Sequence, residues 1–306
     1  MKSRNFYLLS IFAFLTITFA GSAIGIAAQG PNSRPKTNTN SRMEYHNGPI
    51  MGGASGVYVI WYGCWQDDCG TRGSSVTTGL IADFTSSIGG TPYFQLNHLY
   101  PGGSGNAPSG GLLYAGSIFD RSYSHGLDLT KVGIEDLVRQ HIENNDLPED
   151  PSGIYIVIAS ADVSSNTTGF CSLVNTPPLH GTSTAFGSQA KYGFIGNPVR
   201  CPSLEAPQFV KADGTLLPTP NGDFAADSIA SNLARVLNNI VSNPHGSAWY
   251  DRYGLETADK CWNTFGTTYT TANEARANVR WGGRDYLIQQ NWVNDRKGRC
   301  AMQWTP

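Results

Sequence analysis

The sequence predicts a single layered α/β domain: a mixed sheet flanked by helices and tied by disulfides. Three observations carry that expectation. Residues 57–62 (VYVIWY) and 154–159 (IYIVIA) are unbroken β-branched and aromatic runs, the pattern of strands buried on both faces. Around them, three stretches repeat apolar residues at helical spacing, so that strands and helices alternate along the chain. Six cysteines, an even number, follow a leader of secretory type and so read as a disulfide framework.

Lys2 and Arg4 give a basic start, residues 6–20 are largely apolar, and Gly21, Ser22, Ala23, Ala27 and Ala28 supply small residues for cleavage. This predicts a signal peptide over residues 1–28. The apolar run of roughly 15 residues falls short of the ~20 that a membrane anchor needs. No other segment is long and apolar enough to cross a bilayer. Residues 29–43 carry almost nothing to bury and are expected to be a disordered lead-in. Residues 44–306 contain no second linker and no internal repeat, so one domain is expected there. With 40% hydrophobic and 11% aromatic residues, the chain can build a real core.

A net charge of −2 with only 14% charged residues excludes the basic field that nucleic acid requires. The trio Arg296, Lys297 and Arg299 reads as a solvated turn. Gly, Ser, Thr and Asn fill the deficit of charge, a composition found in secreted proteins whose loops meet sugars.

Element by element, residues 57–62 form a strand bounded by Gly56 and Gly63. Residues 76–88 form a helix with Leu80, Ile81, Phe84 and Ile88 inward, ended by Gly89-Gly90. Residues 93–99 and 112–119 read as strands, separated by a Gly-rich loop that matches no phosphate-binding fingerprint. Residues 129–145 form a helix with Val132, Ile134, Leu137, Val138 and Ile142 toward the core, stopped by Pro148 and Pro151. Residues 154–159 are the second buried strand, and residues 164–221 read as irregular. In the long helix that begins near Asp227, Ile229, Leu233, Val236, Leu237 and Ile240 make one apolar stripe. Ser228, Asn232, Arg235 and Asn239 fall on a separate polar face. A last segment is aromatic-rich around residues 286–292.

Sequential pairing is expected for the cysteines: Cys64 with Cys69, Cys171 with Cys201, and Cys261 with Cys300. Each of the two longer loops would contribute roughly 3–4 kcal/mol by chain entropy. Asn166-Thr167-Thr168 is an N-glycosylation sequon, expected on an exposed loop.

Several short motifs occur in order: Tyr45-His46-Asn47-Gly48-Pro49, Ile60-Trp61-Tyr62-Gly63, residues 192–197 with Cys201-Pro202, and Pro220-Asn221-Gly222-Asp223. Asn243-Pro244 with Ala248-Trp249-Tyr250, then Leu255-Glu256 with Ala258-Asp259 and Cys261, complete the series. Together they resemble the plant EXORDIUM and phosphate-induced protein family over nearly all of the mature chain. The resemblance implies secretion to the apoplast or cell wall and an association with growth and cell-expansion signalling. It also implies a segment like Ala-His-Glu-Ile-Ala-Glu, suggestive of a zincin helix, just before Asn243-Pro244. Counted without gaps, its His falls on Arg235, its first Glu on Val236 and its second Glu on Asn239. The helix is therefore zincin-like without metal ligands, and Arg235, Val236, Asn239, Glu256 and Asp259 make a degenerate site. An Arg cannot ligate, and two carboxylates without an imidazole bind zinc poorly.

No catalytic residue, metal or cofactor is therefore expected. The partner is an extracellular protein or a cell-wall polysaccharide, not nucleic acid. Asp223 and Asp227 read as helix-capping acids. Glu256 and Asp259 read either as surface acids or as partners of Arg235. His46 reads as part of a turn; His98, His125, His141, His180 and His245 lie too far apart for ligand spacing. A serine-hydrolase elbow is absent. Asp67, Asp68, Asp120, Asp162, Glu256 and Asp259 are candidates for glycosidase chemistry that nothing in the sequence pairs. Trp65, Trp249, Tyr250, Trp262, Trp281 and Trp292 could stack on sugar rings or belong to the core. The rival functions are a metal-dependent hydrolase using Glu256 and Asp259, and a polysaccharide-binding module.

Overall fold

The computed structural model describes residues 41–172, 179–185 and 188–304; residues 1–28, expected to be a signal peptide, and residues 29–40 lie outside the described residues. The chain enters through β1 (Met43–Tyr45). Ser41 and Met43, assigned from sequence to the lead-in, are buried, so packed structure begins inside that stretch.

Strand β2 (Ser55–Tyr62) leads through α1 (Ser75–Ile88) to β3 (Leu112–Asp120), which pairs with it in parallel. The chain then passes through α2 (Lys131–Glu143) to β4 (Ile154–Ala159), parallel on the other side of β2. Next come β5 (His180–Ala185) and β6 (Ser188–Ile195). β6 extends the parallel sheet beyond β4, and β5 closes that edge in the antiparallel sense. The five-stranded order is thus β3-β2-β4-β6-β5.

Side chains on β2 and β4 alternate between two cores, as the period of a strand requires. Val57, Val59, Trp61, Ile154, Ile156 and Ile158 face one layer, built by α1 and the long helix described below. Tyr58, Ile60, Tyr62, Tyr155, Val157 and Ala159 face the other, built by α2. Each such aliphatic side chain gains about 1.5–3 kcal/mol from burial, which is why these runs specify the sheet.

After the single turn α3 (Pro202–Glu205), α4 (Phe224–Ser242) crosses the first layer. Asp223 caps it, its Oδ1 accepting from the Ala226 N–H at 2.9 Å, as the sequence predicted. α4 can approach β6 because residue 193 is glycine. A Cβ there would sit 2.5 Å from Val236 Cγ1. Beyond α4, β7 (Trp249–Asp251) returns to pair with β1, and a run of short two-stranded ribbons completes the chain. The disulfides join Cys64 to Cys69, Cys171 to Cys201 and Cys261 to Cys300.

Three expectations are corrected. Residues 93–99 are not a strand: Phe94–Leu99 is a 3-10 helix. Thr91 starts it, its Oγ1 accepting from the Phe94 N–H at 3.2 Å with Pro92 following, a helix-start signal that outweighs the aromatic content. Val132 does not join the core but is 68% exposed in the first turn of α2. Residues 164–221 are not wholly irregular, because they contain β5 and β6. Gly, Ser and Thr dilute the alternation in both, and only the Tyr192-to-Ile195 end of β6 is apolar enough to have signalled a strand.

Candidate functional site

The polar face of α4 is not solvated. Ser228, Arg235 and Asn239 are buried, and Ala258 and Asp259 lie against Arg235 and Asn239. Arg235 donates from Nε to Asp259 Oδ1 at 2.7 Å, and its Nη2 lies 2.7 Å from the same oxygen. The two side chains are only 8% and 1% exposed. One turn on, Asn239 Nδ2 donates to Asp259 Oδ1 at 3.2 Å, while its Oδ1 accepts from the Ala258 N–H at 3.0 Å. The Glu256 N–H reaches Asp259 Oδ2 at 3.4 Å. Arg235 is thus the buried partner of Asp259, which makes the acid an internal group and not a surface one.

Glu256 pairs elsewhere. Its Oε1 accepts from Asn243 Nδ2 at 2.5 Å, at the C-terminal end of α4. Its Oε2 lies 2.7 Å from Nε2 of His180 on edge strand β5. Their side chains are 9% and 7% exposed, and His180 Nδ1 is buried without a hydrogen-bond partner among the described residues. Burial alone would push this imidazole down. The charge of Glu256 and its hydrogen bond, with Asp259 beyond, overcome that and hold it above its usual range. In the neutral ring that donates Nε2–H to Glu256, Nδ1 is an acceptor, whereas in the imidazolium favoured by the raised pKa it is a donor. Sequence reading missed His180 because it sits 76 residues before Glu256, in a strand whose polar residues gave no signal.

Val236 is not part of this arrangement. It is fully buried and faces β6, so the position assigned to the family's first Glu lies in the apolar layer. Of the five residues of the degenerate site, the structure brings four together and turns the fifth away.

His180, Glu256 and Asn243 open onto a cleft of about 440 Å³ that Lys131, Thr167 and Tyr250 also line. The Tyr250 ring lies flat on His46, with centroids 3.6 Å apart and planes 2° from parallel. His46 is further held by a contact of Nδ1 with the Ala248 carbonyl at 3.3 Å. Asn166 is exposed, its Nδ2 donating to Asp128 Oδ2 at 2.9 Å. Asp120 and Asp162 are bound by Ser122 and Ser160 and share no partner with Glu256 or Asp259. Trp65 and Trp292 are buried, whereas Trp249, Trp262 and Trp281 are half-buried.

The donor set fits a zinc ion poorly. Arg235 and Asn239, on the polar face of the helix, both donate to Asp259. Among the described residues, the cluster able to offer three metal-ligating groups is Cys64, Asp68 and Cys69. Its two sulfurs are joined in a disulfide and cannot act as thiolates.

Residues 43–301 match the family model described as "Phosphate-induced protein 1 conserved region". The chain belongs to this family. Among curated relatives, it is 29% identical to Protein EXORDIUM-like 3 of Arabidopsis thaliana over 283 residues, 82% of this chain and 80% of the relative. It is 27% identical to Protein EXORDIUM of the same plant over 291 residues, covering 85% and 84% of the two chains. Protein PHOSPHATE-INDUCED 1 of Nicotiana tabacum is 25% identical over 277 residues, covering 83% and 80%. No solved structure matches the chain. No helix among the described residues is long and apolar enough to cross a membrane.

Proposed function

We propose that this family member is a secreted protein of the extracellular or cell-wall space that serves growth and cell-expansion signalling by recognition, without catalysis of its own. The observation that carries this reading is the Arg235–Asp259–Asn239 knot on α4. A permanent cation and an amide occupy the face where a metallopeptidase helix presents electron-pair donors. The leader sequence and three disulfides support an oxidising, extracellular setting.

The rival reading is a metal-dependent hydrolase, and the presence of His180 beside Glu256 is what favours it. Against it, both oxygens of Glu256 already have donors, and Asp259 is committed to Arg235. Elemental analysis of protein secreted into metal-replete medium, purified without chelator, tests the choice. The expected result is zinc far below one ion per chain. A content of about one per chain, retained through gel filtration, would establish the rival.

A further inference from the structure

We infer that the cleft beside the knot is a binding site for a neutral saccharide. This deepens the non-catalytic reading and rests on it. The wall is an aromatic plate. Tyr250 is fixed by the pairing of β7 with β1, and His46 covers one face of its ring. The opposite face and edge are what remain to line the cleft, and a rigid ring of this kind packs against the C–H face of a pyranose at little entropic cost.

The floor supplies the polar half. The Glu256 carboxylate has about four acceptor positions, and two described side chains, His180 and Asn243, use one on each oxygen. Capacity for hydroxyl donors is left over. His180 also lines the cleft, its side chain 7% exposed, although its Nδ1 is buried and, among the described residues, without a hydrogen-bond partner. Lys131 and Thr167 line the cleft too, the Thr167 Oγ1 accepting from the Lys131 N–H at 2.8 Å. Gly246 at φ +67° and Gly254 at φ +78° turn the chain there without placing a side chain in the opening.

The cleft volume lies within the ~300–1,000 Å³ of small-ligand sites. An anionic ligand would meet the Glu256 carboxylate with Asp259 behind it. A metal would find two ligating groups where it needs three or four. Hydroxyls around an apolar ring face satisfy both wall and floor.

The test titrates the full secreted chain with cellohexaose, xylohexaose, mannohexaose and an oligogalacturonate by calorimetry. At least one neutral hexamer should bind. Tyr250→Ala should weaken it about tenfold or more, and Glu256→Gln several-fold, by the loss of stacking and of an ionised acceptor. Thr167→Trp, which fills the opening from an exposed position, should abolish binding while lowering the melting temperature only slightly, by loss of the hydrogen bond that Thr167 Oγ1 accepts from the Lys131 N–H at 2.8 Å; it also keeps the proposal testable if Tyr250→Ala fails to fold. Absence of neutral binding at millimolar concentration, binding of the oligogalacturonate alone, or binding indifferent to Thr167→Trp would overturn the proposal. Binding that survives chelator separates this result from the metal question; binding lost with the metal would sink the non-catalytic reading instead.

Discussion

The two carboxylates that lie along α4 are both buried, yet they are satisfied in opposite ways. Asp259 is closed off by a guanidinium that never loses its proton and by the amide of Asn239, and its side chain is 1% exposed. Glu256 is held by a titratable imidazole and by Asn243, and both partners touch an open cleft. The first arrangement is a structural lock. The second leaves spare acceptor positions on a carboxylate that lines a cleft. Burial alone therefore does not mark a working site; what marks it is a partner that can still change.

The largest effect should come from opening the lock. Arg235→Ala leaves the Asp259 charge buried without its cation and should cost about 3–5 kcal/mol in urea unfolding. Replacing both partners, Arg235→Met with Asp259→Leu, should return part of that loss, because two apolar groups need no counter-charge while Asn239 Nδ2 and the Glu256 N–H lose their acceptor. If the single and double variants are equally unstable, the pair is not the lock.

A smaller effect should distinguish the second carboxylate. Because the folded-state pKa of His180 is raised, its contribution is complete below the unfolded value of about 6.5. It is lost as pH rises through the folded value. Wild type should thus lose stability relative to His180→Gln from about pH 6.5 upward, and the Arg235 variant should keep that slope. Parallel pH profiles for wild type and His180→Gln would remove the titratable half of the contrast.

The smallest effect belongs to a solvent-facing pair. Arg284 lies 2.8 Å from Asp83, with side chains 43% and 51% exposed. Arg284→Ala should change the unfolding free energy by no more than about 1 kcal/mol, and high salt should erase the difference.

Much of this molecule was legible in its residues. The runs at 57–62 and 154–159, and the stripe of Ile229, Leu233, Val236, Leu237 and Ile240, signal themselves because burial on both faces demands unbroken apolar side chains. Arg235, Asn239, Glu256 and Asp259 were identified as a group, since helical spacing and an ordered series of motifs are properties of the chain alone. His180 was not, because only the return of edge strand β5 brings it to Glu256. Position 236 misled for the opposite reason. Gapless counting ignores the side of the helix, and the helix turns that residue onto Gly193.

The central claim is that the face of α4 is closed by its own cation and holds no metal. Thermal unfolding of the protein after exhaustive chelation, and again with excess zinc, tests it most directly. A ligand specific for the folded state stabilises it by about 4 kcal/mol at a thousand times its Kd. The account predicts coincident melting curves. A zinc-dependent rise in Tm that His180→Gln or Glu256→Gln removes would contradict it.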